Sequence, residues 1–289
     1  MTGSATAARH TRSGRSGLRR AAAHGVIIVV GILMIYPLLW LVGSAFKPEK
    51  QIFSGPGLWP RDFTLDNIIH GWTALGVPFA TFFVNSMLVA VLSVIGNLFS
   101  CSLAAYAFAR LEFRLKPLLF AIMLGTIMLP FHVVLVPQYI LFQSISWTNT
   151  YYPLVVPKFL AVDAFFVFLM VQFIRGLPRE LDEAATIDGC GPIGVFWRIV
   201  LPLMRPALAV AGVFTFIWTW NDFLGPLLYL TDRDKYTVPV ALNAFLDSTG
   251  ASAWGPMFAM SLLSLIPLFV VFLLAQKQLV RGITTTGLK

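Results

Sequence analysis

Between Pro117 and Pro157 the chain contains no Lys, Arg, Asp or Glu. An uncharged run of that length has no place on the surface of a water-soluble domain, where about a quarter of residues are charged. It is also longer than one membrane crossing, which takes about 20 residues of helix. The rest of the chain follows the same pattern: 12% of its residues are charged, 57% are hydrophobic and mean hydropathy is +0.79. Gly25–Phe46 is a second uncharged block and Phe79–Ala109 a third. Pro130, Pro137 and the polar run Gln143–Asn149 divide the long block into a helix near 118–141 and the start of another near 151–174. Two further spans are expected, at Ala207–Leu230 and Pro256–Gln276. The fold expected is therefore all-α, a polytopic membrane protein with six transmembrane helices.

Lys and Arg are retained on the cytoplasmic side of short loops. Arg9, Arg12, Arg15, Arg19 and Arg20 precede the first span, and Arg110, Arg114 and Lys116 follow the second. Arg175, Arg179, Arg198 and Arg205 follow the fourth, and Lys277, Arg281 and Lys289 follow the sixth. The opposite loops hold Lys47, Lys50, Arg61, Arg233 and Lys235, with Lys158 inside a span. Fifteen against five places both termini, and the stretch 179–206, in the cytoplasm. The net charge of +8 follows from this asymmetry. Nucleic-acid binding is disfavoured, because the cations lie on four segments separated by membrane. Residues 1–23 read as a basic, disordered cytoplasmic extension touching anionic lipid, and 24–289 as the six-span domain. The first apolar block exceeds the core of a secretory signal and reads as a retained anchor.

Catalytic signatures are missing. There is no G-x-x-x-x-G-K-[ST] phosphate loop, and no H-E-x-x-H or G-x-S-x-G motif. His10, His24, His70 and His132 lack metal-ligand spacing, so neither a metal site nor an enzyme is expected. Cys101 falls within a span and Cys190 on an inner loop, which predicts no disulfide.

The stretch 179–206, RELDEAATIDGCGPIGVFWRIVLPLMRP, is a polar island in this apolar chain. Leu181–Ile187 is helix-capable, and Gly189 suits a left-handed helix terminator. Pro192 suits the first turn of a second helix over Ile193–Leu201, and Leu201-Pro202 interrupts before the fifth span. On residues alone this is an amphipathic hairpin at the membrane face. The order Glu183-Ala184-Ala185, Asp188-Gly189, then Leu201-Pro202 is similar to the EAA loop of ABC importer permeases. The resemblance runs from about residue 30 to the end and is closest to the smaller permease subunit of maltose-type carbohydrate importers. Asn85-Ser86, Ala104 through Arg110, Leu129-Pro130, Trp220-Asn221-Asp222-Phe223 with Pro226-Leu227, and the tail from Gln276 to Lys289 carry it. Cys190 departs from the pattern, where a small Ala is commoner, and so does the basic extension.

The resemblance implies a type I importer permease fold with its core at 79–276, in the cytoplasmic membrane. It implies that residues 179–206 dock a separate ATPase, which uses ATP and magnesium; this chain is expected to bind neither. The partners implied are a second permease forming a heterodimer, two ATPase copies and an extracytoplasmic solute-binding protein. The solute implied is a disaccharide or oligosaccharide. An ion-coupled secondary transporter, or an importer of a non-sugar solute such as glycerol 3-phosphate, are the alternatives.

Charged groups inside a span cost about 2.5–3.5 kcal/mol each at the membrane centre. At about 1.5 Å per residue, Lys158 and Asp222 lie roughly 10–13 Å from the outer helix ends, and Asp163 roughly 18 Å. Five residues apart, Lys158 and Asp163 would not share the face of a continuous helix. Two readings stand. In one, Lys158, Asp163, Asn221 and Asp222 face an aqueous pathway between this chain and its partner. In the other they are structural: Lys158 snorkels, Asp222 caps a break before Gly225-Pro226, and Asn221 joins helices.

Overall fold

Without water to segregate helix faces, spans pack through small residues and satisfy every buried polar group internally. The computed structural model describes residues 13–55, 57–246 and 253–285, and no strand occurs among them. Helix α1 spans Ser13–Ala45, and a short α2 at Asp66–Thr73 leads into α3 at Phe79–Arg110. After α4 (Lys116–Ile127) and α5 (Phe131–Ser144), the chain reaches α6 (Ala164–Arg175). Two further helices, α7 (Glu180–Ile187) and α8 (Pro192–Leu203), precede α9 (Arg205–Trp220). Then come α10 (Leu224–Tyr229), α11 (Val238–Asn243) and α12 (Trp254–Thr285).

Helix α3 forms the axis. Its buried positions include Ser86, Ala90, Ser93, Asn97, Cys101 and Ala105, a stripe of small or polar side chains at helical spacing. Val84, Leu88, Leu92, Ile95 and Phe99 on the same helix are exposed, as a lipid-facing surface requires. The small stripe lets α6 and α9 approach closely. At Gly96 a methyl group would stand 2.5 Å from the Phe159 ring. Asn97 Nδ2 donates to Thr215 Oγ1 on α9 at 2.7 Å in the buried interior. At one end, Asn85 Nδ2 donates to the carbonyls of Asp234 and Tyr236 at 2.8 and 3.0 Å. Ser86 Oγ accepts the Val238 N–H there at 2.8 Å. Asn85-Ser86 thus ties the loop before α11 to the start of α3. Helix α12 packs on α1, α2 and α9, with Trp220 Nε1 donating to the Ser264 carbonyl at 3.2 Å.

Among the described residues four helices are long and apolar enough to cross a bilayer, and the expected six is reached when each of two sharply bent helix pairs is counted as one span. Ala22–Ala45, Phe79–Arg110 and Trp254–Gln276 are continuous and apolar enough to cross a bilayer. The expected helix at 118–141 is two helices, α4 and α5, meeting at 105°. Pro130 has no N–H and disfavours helical geometry at the residue before it, and the first helix stops at Ile127. The fourth span, Tyr152–Arg175, tightens into a 3₁₀ turn at Val156–Leu160. Pro157 cannot donate to the Pro153 carbonyl, and Ala161 then takes a left-handed conformation at φ 54. The fifth breaks after Trp220 and resumes as α10.

Two other expectations are corrected. The segment expected to be disordered is helical from Ser13 onward, continuous with the first span. Arg and Ala are good helix formers, and the span already supplies the nucleus. Residues 1–12, and the tail residues Gly287-Leu288-Lys289, lie outside the described residues. The interruption expected at Leu201-Pro202 falls instead at Met204, where α8 and α9 meet at 74°. A π-helical turn at Phe196–Val200 widens the backbone beneath Pro202 and relieves the clash of its ring with the preceding turn.

Candidate functional site

The polar island forms a helix–turn–helix. Glu180, Asp182 and Glu183 occupy the first turn of α7, where carboxylates suit the positive end of the helix dipole. The helix ends at Asp188, and Gly189 follows at φ 86. Cys190 N–H donates to the Ala185 carbonyl at 2.9 Å and Gly189 N–H to that of Thr186 at 3.0 Å. This paired closure is the Schellman motif, and a left-handed residue at its turn favours glycine. Gly191 then caps α8, with Pro192 in its first turn.

The loop is tied to α3 at three points. Arg110 Nε lies 2.7 Å from Asp182 Oδ2, with side chains 7% and 21% exposed. It is a contact ion pair rather than an aligned hydrogen bond, since the Nε–H points past the carboxylate. Arg110 Nη2 donates to the Leu177 carbonyl at 2.9 Å, and Tyr106 OH to the Pro192 carbonyl at 2.9 Å. The two alanines divide their work. Ala185 is buried in the cluster with Tyr106 and Phe196, whereas Ala184 is exposed. Glu183 and Asp188 are exposed and Leu201 is half-buried. Ile187 and Ile193 flank the turn at 86% and 76% exposed. Beside them is a cleft of about 340 Å³ lined by Arg110, Asp182, Glu183 and Thr186. Cys190 is half-buried, its sulfur 3.9 Å from Arg198 Nη1.

The second region lies at the broken fourth and fifth spans. A cavity of about 550 Å³ is lined by Lys158, Asp163, Trp218, Thr219, Asp222 and Tyr229, among others. Lys158 Nζ donates to Asp163 Oδ2 at 2.8 Å, a pairing excluded for a continuous helix. The 3₁₀ turn and left-handed Ala161 fold the chain back so that the two meet. Ser100 Oγ holds the Lys158 carbonyl at 2.8 Å. Asp222 accepts the Gly225 N–H at 3.2 Å, the cap anticipated before Gly225-Pro226. A side chain at Gly225 would meet Asp222 Oδ2 at 2.5 Å. Asn221 is not part of this group: it is exposed, and its amide donates to the Ile217 carbonyl on its own helix at 2.8 Å. Three of the four sequence-selected residues therefore share one cavity.

Sequence reading missed the Arg110–Asp182 tie, the Tyr106 hydroxyl and the cavity's Trp218. No local signal links Arg110 with Asp182. Ile187 and Ile193 could have been noticed as large aliphatics within a polar island. Among the described residues no group of three or more His, Cys, Asp or Glu could hold a metal.

A six-span helical bundle with a tethered helix–turn–helix at one end and a charged cavity between broken spans is the architecture of a membrane transport subunit. The family model described as binding-protein-dependent transport system inner membrane component matches residues 96–285. The chain belongs to that family and is a multi-pass protein of the cytoplasmic membrane. It is 36% identical over 258 residues to the probable ABC transporter permease protein YurM of Bacillus subtilis, covering 89% of this chain and 85% of that one. It is 33% identical over 263 residues to the arabinooligosaccharides transport system permease protein AraQ of Halalkalibacterium halodurans, covering 90% and 93%. A solved bacterial ABC transporter involved in the import of alginate shares the fold, with a TM-score of 0.79 at 20% identity and 94% and 99% coverage. The chain is thus a transport component that works in a complex with an ATPase and a binding protein.

Proposed function

We propose that this chain forms one half of the membrane pathway of a carbohydrate importer and receives its driving force at residues 179–206. The observation that carries the reading is the tethered turn with Ile187 and Ile193 largely exposed. Large aliphatic side chains presented beside acidic groups on a braced loop mark a docking surface. Glu183 and Asp188 supply acceptors, and exposed Ala184 lets a partner approach the backbone. Gly189 sets the turn, while Leu201 and Pro202 belong to the helix that carries the push into α9. The partner is a separate ATPase in two copies, one per permease of a heterodimer. It handles ATP and magnesium, and this chain contributes no bond chemistry.

Arg175, Arg179, Arg198 and Arg205 surround the loop, which supports a cytoplasmic location for it and for both termini. ATPase closure would push α7 and α8, and the Arg110–Asp182 tie would pass that displacement to α3. Motion of α3 against α6 and α9 would open the cavity alternately to the two sides of the membrane. Carbohydrate is the favoured cargo because AraQ, alike over nearly its whole length, is a permease for arabinooligosaccharides. Lys158, Asp163 and Asp222 are assigned to the pathway; Asn221 is assigned only to its own helix.

The test is co-purification from membranes expressing the whole importer. Gly189→Asp and Ile193→Asp should each lose the ATPase while keeping the second permease. Retention of the ATPase by both variants would refute the docking assignment. Solute uptake that continues without any ATPase would favour an ion-coupled carrier.

A further inference from the structure

The charged cavity between the broken spans contains one ammonium and two carboxylates. Lys158 is already engaged, its Nζ 2.8 Å from Asp163 Oδ2. That pair is neutral overall and leaves no cation free to receive an anion. Asp222 is the surplus charge, and among the residues lining the cavity no Arg, His or second Lys offsets it. Its carboxylate is held in place by the Gly225 N–H, which it accepts at 3.2 Å. The remaining polar surface comes from Gln138, Thr219 and Tyr229, and Trp218, 52% exposed, supplies an aromatic face.

Resting on the reading of this cavity as an aqueous pathway, we infer that the half of the pathway formed by this chain is a charge filter: it admits neutral polyhydroxylated solutes and disfavours solutes bearing phosphate or carboxylate. Carboxylates accept hydrogen bonds from sugar hydroxyls, and an indole face covers the apolar side of a sugar ring. A phosphate or uronate meets an unbalanced negative charge between low-dielectric walls, where field lines concentrate. A glycerol phosphate therefore suits this surface poorly, and a neutral oligosaccharide suits it well.

The potential can be read without knowing the solute. Thr219→Cys, one helical turn from Asp222, and Val162→Cys are introduced separately into the full chain, with Cys101→Ser and Cys190→Ser. The chain is purified with its second permease and ATPase in neutral detergent. Modification rates are measured with two methanethiosulfonates, one carrying ethyltrimethylammonium and one carrying ethylsulfonate, each normalised to its rate with free mercaptoethanol. The cationic reagent should be favoured by roughly tenfold, the lower end of electrostatic focusing in a cleft. Asp222→Asn and Asp163→Asn should each remove most of that preference, and Lys158→Met should raise it. Co-elution with the second permease verifies folding of each variant. A normalised ratio near one, or an unchanged ratio in both Asn variants, overturns the filter and leaves the pathway standing. Failure of both cysteines to react with either reagent overturns the pathway itself.

Discussion

Two ion pairs of nearly equal length do different work in this protein. Arg110–Asp182, at 2.7 Å, joins the end of α3 to a helix far along the chain and is largely enclosed. Lys158–Asp163, at 2.8 Å, closes a local break within one span and borders a cavity. The first holds two elements in register; breaking it leaves an enclosed charge without its partner. Both pairs border a cavity, and the difference lies in the basic partner, with Arg110 7% exposed against 28% for Lys158, so loss of the second is better compensated by water. Distance alone does not reveal this difference, whereas burial and sequence separation do.

The comparison would break first at Asp182. Asp182→Ala should destabilise the fold by about 1–3 kcal/mol, because Arg110 loses its carboxylate and keeps only the Leu177 carbonyl. Thermal unfolding of the purified complex measures it. Replacing both partners together, by Arg110→Met with Asp182→Leu, should recover a large part of that loss while ATPase stimulation stays low. A single variant as mild as the double would show that the tie does not hold the loop.

Gly189→Ala is expected to cost about 1–2 kcal/mol, the penalty of a left-handed residue with a side chain. The effect should stay local, seen as faster amide exchange across α7 and weaker ATPase association, with the cavity's cysteine reactivity unchanged. At the other pair, Asp163→Asn should cost about 1 kcal/mol or less in stability, given its partial exposure. Uptake in proteoliposomes should nonetheless fall at least severalfold with the ATPase still bound. Normal uptake in both Asp163→Asn and Asp222→Asn would return these residues to a structural role.

The smallest effect is expected outside the spans. A hydrogen bond from the Asn149 amide, at 2.6 Å, and then Lys235 hold the Asp232 carboxyl below its usual range. A carboxyl depressed in the folded state contributes stability above its ordinary titration range, and that stability is lost as pH falls through the folded value. The melting temperature should drop slightly on acidification towards pH 3, and Asp232→Asn should flatten that slope. No change in slope would mean that this exposed contact contributes nothing measurable.

The number of spans, the polar island and its helix–turn–helix were all legible, because each depends on local composition. Pro130 and Pro157 were visible in the chain, but the helices expected at 118–141 and 151–174 ran through them, and the breaks emerged only in the structure. Their consequences were not legible. Ala161 gives no local hint of a left-handed turn, and only that turn brings Lys158 to Asp163. Likewise Asn221 and Asp222 are neighbours in sequence, yet one bonds to its own helix while the other caps the next. The extent of the first helix was misjudged because composition favoured disorder while continuity with a span favoured helix.

By itself, the sequence determined that this chain crosses a membrane, where its charges could lie, and that a glycine-terminated loop stands between the fourth and fifth spans. Those properties follow from hydropathy, charge and backbone preference, which act over a few residues at a time. Only the tertiary structure decided that Arg110 braces the loop, and that one ammonium and two carboxyl groups converge on one cavity. Such pairings depend on how distant helices pack, and small side chains permit that packing without specifying which polar groups will meet.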